Sequence, residues 1–225
     1  MKRPFITANF AQTWDARIST RNHTPVDFSS PTDKRCLFEI RASADAILCG
    51  SRTIATDDAT LALPQRSLRA QRIKAGKPPC PLRVLITNSG RLNPSLKIFS
   101  ETSAPLLIFS TTRMPARIRR ALEEKADLHL TDKPSVDLHA MLAHLHAQRG
   151  VERLLCEGGP TLLRSLLEAD LVDQIHLTLC PLLFGGLEAP GITGPAASHL
   201  AQSRHWRLES MQVHGGECFL RYGRK

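Results

Sequence analysis

A carboxylate and two glycines stand where a buried strand should give way to a helix. The stretch Leu154–Leu162 has the sequence Leu-Leu-Cys-Glu-Gly-Gly-Pro-Thr-Leu. Glycine allows a ligand to approach the backbone closely, and the first N–H groups of a helix attract anions such as phosphate. The stretch is therefore a candidate nucleotide site with Glu157 at its rim, although it contains neither a G-x-G-x-x-G fingerprint nor a Walker loop. The alternative is a structural turn whose glycines permit tight packing.

Chain length and apolar patterning indicate a globular protein. The 225 residues, 42% of them apolar, are enough to bury a substantial core. No run of 18 apolar residues occurs, so no membrane span is expected. Asn9, Gln12 and Asp15 interrupt the apolar residues near the N-terminus, which argues against a signal peptide. These features predict a cytoplasmic protein.

The cysteines and histidines do not have the spacing of a metal site. The six cysteines are scattered without a C-x-x-C pair, and we predict no bound metal. Three cysteines lie in apolar runs and are expected to be inert core thiols: Cys49, Cys156 and Cys180. Several histidines are expected to face solvent: His129, His139, His144 and His146.

The net charge of +9 raises the question of an anionic partner. Nucleic acid is disfavoured because the basic residues are spread out and few aromatic side chains are available for stacking. The densest basic stretch, Arg66 to Lys77, contains no aromatic residue. A small anionic substrate or cofactor explains the charge as well.

Strand and helix patterns alternate along the chain. Strands are predicted at Phe5–Phe10, Ala46–Cys49, Leu82–Thr87, Pro105–Ser110, Asp127–Thr131, Arg153–Cys156, Gln174–Cys180, Trp206–Val213 and Glu217–Tyr222. Helices are predicted at Thr32–Ala42, Arg117–Lys125, Val136–Arg149 and Thr161–Ala169, with a polar turn or short helix after Gly50. Residues 64–81 are expected to be the most loop-like region, with Arg66 to Lys77 forming a solvated loop and helix face. The pattern predicts an α/β fold: one domain over residues 1–225, with a mixed, mostly parallel sheet flanked by helices and a C-terminal antiparallel hairpin.

Four blocks of the sequence resemble the reductase domain of riboflavin biosynthesis. They are Asn9–Ile18, Ile40–Asp58, Leu82–Ser89 and Cys156–Gly186, in family order and with compatible spacing. The last block contains Glu-Gly-Gly-Pro-Thr-Leu, Leu-Val-Asp and Pro-Leu-Leu-Phe-Gly-Gly. The resemblance implies a dihydrofolate reductase-like fold. The H-x-E and P-C-x-x-C signatures of the deaminase that accompanies many family members are absent, so a stand-alone reductase domain is expected.

The resemblance also implies an activity and a cofactor. Members of this family use NADPH to reduce the ribosyl group of 5-amino-6-(5-phosphoribosylamino)uracil to ribityl. The implied cofactor-binding residues are Ala11, Gly50, Thr53, Asn88, Gly158, Gly159, Pro160, Thr161 and Leu162, with Ser89 and Arg91 beside Asn88. The implied substrate-binding residues are Arg41, Leu61 and Glu157.

Two carboxylates, Asp57 and Glu157, are candidates for proton transfer. Hydride reaches a sugar carbon more easily once the ring has opened to a carbonyl or imine, and opening requires a proton. A carboxyl group in a partly closed apolar cleft can have a pKa high enough to supply it. The structural alternatives are a helix cap or turn residue for Asp57 and a capped strand end for Glu157. Asp15 is expected to be a turn residue that orders the first loop.

Departures from the family pattern lie mostly on the substrate side. Pro25 and Asp27 stand where many bacterial members have Ser and Trp, and Pro64 stands where they have Arg. The reaction could therefore use another heterocycle, such as a dihydropterin, or the chain could be a non-catalytic nucleotide-binding paralogue. Arg41 could bind substrate phosphate or pair with Glu39 or Asp45 on a helix surface.

A homodimer is implied by the resemblance alone. Several apolar residues near the seventh predicted strand could form its interface or belong to the core: Leu179, Leu182, Leu183 and Phe184. A phosphorylated small molecule is the expected substrate.

Overall fold

The computed structural model describes residues 2–20, 28–186, 188–194, 200 and 205–225. The chain forms two compact units. The central unit comprises Met1–Pro4 and Phe38–Leu155, and the terminal unit comprises Phe5–Leu37 and Cys156–Lys225. The terminal unit is therefore built from the two ends of the chain.

Four parallel strands form the sheet of the central unit. They are β2 (Ala46–Gly50), β3 (Leu82–Ile86), β4 (Leu106–Thr111) and β5 (Asp127–Thr131), in the spatial order β5-β4-β3-β2. Every residue of β4 is buried, as expected for a parallel strand covered on both faces. The helices of this unit are α2 (Ser51–Asp57), α3 (Arg66–Lys74), α4 (Ala116–Leu122) and α5 (Leu138–Arg149), with a 3₁₀ helix at Lys97–Phe99.

Aliphatic side chains fill the core of the central unit. Ile47, Leu85, Ile98 and Ile108 are fully buried in one apolar cluster. Burying such a side chain contributes about 1.5–3 kcal/mol.

The predicted core thiols are confirmed: Cys49, Cys156 and Cys180 are all buried, and desolvation raises the pKa of Cys156 and of Cys180 to about 12.

The terminal unit contains parallel and antiparallel pairings. Its strands are β1 (Phe5–Thr13), β7 (Gln174–Cys180), β8 (Trp206–His214) and β9 (Glu217–Arg224), in the order β1-β7-β9-β8. β1 and β7 are parallel, whereas β7–β9 and β8–β9 are antiparallel. Gly215 and Gly216 form the hairpin turn with φ of 60° and 87°, which glycine adopts without strain. Helix α6 (Pro160–Glu168) belongs to this unit, while α1 (Pro31–Ser43) and β6 (Arg153–Gly158) each continue from one unit into the other.

A bulge in β8 decides which of its side chains share a face. Strict alternation would put Ser210 and Gln212 on the same face as Leu208. The register shift between Leu208 and Ser210 instead places Met211 and Val213 on that face. Their exposed fractions are 48% for Leu208, 62% for Met211 and 59% for Val213. We call these three residues the apolar face of β8.

The predicted fold class is confirmed, because the chain has mostly parallel strands, flanking helices and a C-terminal antiparallel hairpin. The helix face expected between Arg66 and Lys77 is α3, but the expectation that this stretch is solvated was wrong for Arg72. Arg72 in α3 is 3% exposed, and its guanidinium donates hydrogen bonds to the carbonyl oxygens of Ala42, Ala44 and Pro78. Ala42 and Ala44 precede Arg72 by 30 and 28 residues, so local composition did not reveal that this arginine is buried.

The prediction that the histidines face solvent was also wrong for part of the set. His129 on β5 stacks on Phe109 with ring centroids 4.8 Å apart, and His144 on α5 meets His129 edge-on at 4.5 Å. Both are half-buried, as is His146, whereas His139 is exposed. His144 follows the buried Met141 by three residues, and that spacing places the two on neighbouring positions of one helix face.

Candidate active site

The strand, glycine turn and helix predicted around Glu157 are present in the terminal unit. β6 ends at Gly158, and α6 begins at Pro160 with Gly159 as its N-cap. Gly158 is buried and has a φ of 118°, a region that favours glycine. The peptide bond between Gly158 and Gly159 is cis. Glu157, immediately before these glycines, is half-buried.

The start of α6 offers backbone donors to an anion. Gly159 has no side chain with which to cap the helix, and Pro160 has no N–H group. Leu163 already donates its N–H to Gly159 at 3.0 Å, so the N–H groups of Thr161 and Leu162 are the donors suited to a phosphate. Their geometry supports the phosphate-binding role expected for this stretch.

Gly194 approaches the start of α6 and was missed by the sequence reasoning. Its φ is 71°, and a Cβ atom there would lie 3.4 Å from Cβ of Pro160 and 3.7 Å from N of Thr161. A Cβ atom at this position would make ordinary van der Waals contact with the first turn of the helix, and the positive φ is what favours glycine there. The signal in the sequence is the pair Gly191 and Gly194, which matches no nucleotide-binding motif.

Asp15 orders the first loop, as expected. Its carboxylate accepts hydrogen bonds from Thr13 Oγ1 at 2.5 Å, from Phe184 N at 3.2 Å and from Gly185 N at 2.6 Å. The Thr13 hydroxyl and the two backbone N–H groups lower the pKa of Asp15. Ala11, the candidate for the nicotinamide, is half-buried on β1 opposite Thr178 of β7.

Helix α2 carries two candidate residues of the central unit. It begins after Gly50, with Thr53 in its first turn and Asp57 as its last residue. The spacing of four places Thr53 and Asp57 on the same face of the helix. Asp57 as a residue is exposed, yet desolvation by the protein atoms around its carboxyl group raises its pKa. A raised pKa is the property required of a carboxyl proton donor.

The segment after α2 buries Leu61 and involves Arg41. Leu61 is 2% exposed, has a φ of 57° and packs in the apolar core of the central unit. Arg41 is 9% exposed; its Nη1 donates to the carbonyl oxygen of Ala62 at 2.6 Å, and its guanidinium lies 5.4 Å from the ring centroid of Phe38. Arg41 is therefore a buried residue that contacts this segment, and the alternative of an arginine on the helix surface was wrong.

Asn88 lies at the end of β3 and is held by two contacts. Its Oδ1 accepts from Val136 N at 2.9 Å, and its backbone carbonyl accepts from Thr111 Oγ1 at 2.8 Å. Asn88, Ser89 and Arg91 are all exposed. The side-chain orientation of Asn88 is thus set by its own unit.

The departures on the substrate side are only partly visible. Pro25 and Asp27 lie outside the described residues. Pro64 is exposed, and its carbonyl oxygen accepts from Arg69 Nη2 at 3.2 Å.

Across residues 2–20, 28–186, 188–194, 200 and 205–225, no group of three or more His, Cys, Asp or Glu side chains could hold a metal ion. Within the same ranges, the helices are too short or too polar to cross a bilayer.

Comparison with known proteins places these residues in a known sequence family. The 2,5-diamino-6-ribosylamino-4(3H)-pyrimidinone 5′-phosphate reductase of Archaeoglobus fulgidus is 33% identical over 190 residues, covering 84% of this chain and 86% of that protein. A pyrimidine reductase-like protein from Corynebacterium diphtheriae has a similar fold, with a TM-score of 0.84 at 22% identity over 98% of this chain and 91% of that one. Dihydrofolate reductase from Enterococcus faecalis shares the fold with a TM-score of 0.51 at 13% identity, over 97% and 95% of the two chains. Residues 4–220 match the RibD C-terminal domain, and the chain therefore belongs to the RibD C-terminal domain family.

Proposed function

We propose that the chain is an NADPH-dependent reductase of riboflavin biosynthesis, with residues 1–225 acting as one reductase domain. Its substrate is an aminopyrimidine ribosyl phosphate, whose ribosyl group it converts to ribityl. The observation that carries the proposal is the Glu157–Leu162 segment, in which a buried glycine with a φ of 118° precedes an open helix start. Membership of the RibD C-terminal domain family and the name of the Archaeoglobus relative support it.

Two candidate substrates differ in the group at position 2 of the pyrimidine ring. The family resemblance suggests 5-amino-6-(5-phosphoribosylamino)uracil, whereas the Archaeoglobus relative is named for the 2,5-diamino pyrimidinone. These compounds share the ribosyl phosphate that is reduced. The proposal covers this shared chemistry, and the experiment below compares the two rings.

The nicotinamide cofactor would be held through its phosphates and its ends. The N–H groups of Thr161 and Leu162 suit the pyrophosphate, while Gly158 and Gly159 let it approach the backbone. Asn88, with Ser89 and Arg91, suits the adenosine 2′-phosphate that distinguishes NADPH from NADH. Family resemblance assigns further contacts to Ala11, Gly50 and Thr53.

A carboxyl group supplies the proton that opens the sugar ring. Bound NADPH would supply the hydride. Asp57 donates a proton to the ring oxygen, so that the bond from this oxygen to C1 breaks while a double bond forms between C1 and the glycosidic nitrogen. Reduction of C1 by that hydride would give the ribitylamine. Desolvation, which raises the pKa of Asp57, favours it for this role, and Glu157 is the second candidate.

The proposed enzyme is a homodimer that uses the apolar face of β8. Leu208, Met211 and Val213 expose three large apolar side chains on one face of an outer hairpin. A two-fold axis could bury this self-complementary surface against a second copy. In sedimentation, Met211→Gln with Val213→Gln should convert a wild-type dimer to monomer, whereas Arg207→Gln should leave the dimer intact. A monomeric wild type would contradict the proposal.

The cytoplasm is the proposed compartment. Cys80, Cys156 and Cys180 are buried thiols, which a reducing compartment maintains. Localisation of the tagged chain by cell fractionation would test this.

The experiment that tests the function is NADPH oxidation by the purified chain. Both pyrimidine ribosyl phosphates are offered, NADH replaces NADPH in the cofactor control, and mass spectrometry identifies the ribityl product. Turnover of either ring with NADPH supports the proposal. NADPH binding without turnover of either ring would redirect the search to dihydropterins or a non-catalytic role. A chain that binds no NADPH would overturn the proposal.

A further inference from the structure

The segment Asp57–Leu63 contains the proposed proton donor and a buried residue with a left-handed backbone. Asp58, the C-cap of α2, has a φ of 45°, and Leu61 has a φ of 57°. Left-handed conformations are unfavourable for most non-glycine residues, so they persist where surrounding contacts impose them. The contacts that impose this path are therefore of functional interest.

Asp58 holds the start of this segment through two contacts to one residue. Its Oδ1 accepts from the backbone N of Lys97 at 2.9 Å, and its Oδ2 lies 3.1 Å from Nζ of Lys97. The backbone and side-chain hydrogen bonds from Lys97 lower the pKa of Asp58. Asp58 is thus an ionised residue with a fixed orientation beside Asp57.

Lys97 in turn belongs to a rigid element. It begins the 3₁₀ helix in which Ile98 and Phe99 are 0% and 6% exposed. Arg83 of β3, 2% exposed, donates from Nη1 to the carbonyl oxygen of Ile98 at 2.8 Å and from Nη2 to that of Glu101 at 2.7 Å. The anchor for Asp58 is therefore fixed to the sheet of the central unit.

We propose that Asp58 and Lys97 are positioning residues, which act as a clamp that keeps the carboxyl group of Asp57 at the place where it donates its proton. The inference rests on the proposed function, because it takes Asp57 as the proton donor. It goes beyond that function by giving a catalytic consequence to two residues that reach Asp57 only through the backbone. The Asp58 and Lys97 side chains are 38% and 70% exposed, and exposed ion pairs contribute little to stability. Their removal should therefore affect catalysis more than folding.

The substitutions separate the parts of the clamp. Asp58→Asn can still accept from the Lys97 backbone and tolerates a left-handed backbone, but it loses the ion pair. Asp58→Ala loses both contacts, and Asp58→Gly loses them without backbone strain. Lys97→Met removes only Nζ, and Lys97→Arg retains a cation. The matched control is Arg119→Gln, which breaks the ion pair of Arg119 with Glu123 at 3.3 Å on α4 of the same unit.

The test measures kcat, the KM for NADPH, Tm and hydrogen exchange of residues 57–63 in the full chain. We expect Asp58→Ala and Asp58→Gly to lower kcat roughly tenfold with KM within about twofold, since small misplacements of a reacting group are costly. Asp58→Asn and Lys97→Met should have smaller effects that do not add in the double variant. Lys97→Arg, which retains a cation, should keep kcat at the wild-type value. Arg119→Gln should leave kcat, KM, Tm and hydrogen exchange unchanged.

Hydrogen exchange keeps failure of the clamp distinct from failure of the proposed function. Faster exchange confined to residues 57–63 in Asp58→Gly supports the clamp even if the wild type turns over neither substrate. Unchanged exchange and unchanged kcat in an active enzyme would overturn it. The clamp would also be overturned if kcat fell only together with a general loss of Tm. A kcat lowered as much by Lys97→Arg as by Lys97→Met would overturn it as well.

Discussion

The carboxyl group of Asp57 combines a catalytic property with a cost in stability. Desolvation raises its pKa in the folded chain. The folded chain therefore binds this proton more tightly than the unfolded chain does, so the stabilisation is present at low pH and is lost as pH rises through the folded-state pKa. The ionised form of Asp57 therefore opposes folding, as expected of a group selected for function.

Replacing Asp57 by Asn should separate its effect on catalysis from its effect on stability. We expect kcat to fall by about 100-fold or more, because a proton donor contributes at least that factor, while Tm stays equal or rises. Steady-state kinetics and calorimetry at pH 7 measure both. Asp132→Asn, at an exposed position, is the control. An unchanged kcat would show that Asp57 is only the last residue of a helix and not the proton donor. Glu157 would then be the candidate donor, and Glu157→Gln tests it.

His144 should make stability sensitive to mild acid. Its pKa is lowered by desolvation first, then by neighbouring His129 and Arg149, against an opposing effect of Asp127. As pH falls below the unfolded-state value of about 6.5, the unfolded chain takes up the proton first and stability decreases. The Tm of His144→Phe should fall less than that of the wild type between about pH 7 and pH 5.5. His139→Gln should behave as wild type, and equal slopes for all three proteins would contradict the prediction.

At the scale of elements, the junction of β6 and α6 depends on a glycine. Gly158→Ala places a side chain at a φ of 118° in a buried position, so we expect NADPH affinity to fall at least about tenfold. Gly150→Ala is the matched control, because Gly150 also has a positive φ, 63°, but has open space around it at the end of α5. Titration of NADPH fluorescence measures the affinity. Equal losses in both variants would show a general folding effect instead.

Regular elements could be predicted because their signals are local. The hairpin predicted at Trp206–Val213 and Glu217–Tyr222 lies at Trp206–His214 and Glu217–Arg224, and the helix predicted at Thr161–Ala169 begins one residue earlier. Alternation and a glycine turn specify the first, and a proline after glycines specifies the second. What local patterns could not reveal is the burial of Arg72 in α3, because the carbonyl groups of Ala42 and Ala44 that it contacts lie about 30 residues away.

In the candidate site, too, local motifs could be predicted from the sequence and long-range contacts could not. Glu157 and its glycines form a continuous motif and could be found from sequence. Arg41 and Asp58 could not be understood in this way, since Arg41 contacts the carbonyl of Ala62 and Asp58 contacts Lys97, 39 positions away. Such pairings arise only when the chain folds, and they determine where the candidate side chains lie.

At the scale of the whole molecule, the net charge of +9 should draw phosphorylated ligands to the protein. Raising NaCl from about 0.02 to about 0.3 M should lower kcat/KM for the pyrimidine ribosyl phosphate several-fold, mainly through KM, because salt screens long-range attraction. Initial rates across this series measure the effect, with Tm recorded to exclude unfolding. A dephosphorylated substrate is the control and should respond less. A salt-independent kcat/KM would rule out steering by net charge.

The pairing of β1 with β7 bears on how the protein forms during synthesis. Thr7 is in register with Gln174 and Thr13 with Cys180, so β1 needs residues that leave the ribosome after the whole of Phe38–Leu155. The central unit has all of Phe38–Leu155 available earlier, and translating those residues takes roughly 10 s at about 10 residues per second. During that interval the apolar strand Phe5–Thr13 has emerged without its partner. A nascent chain stalled after Leu155 should therefore offer this strand to chaperones, and one extended past Cys180 should withdraw it.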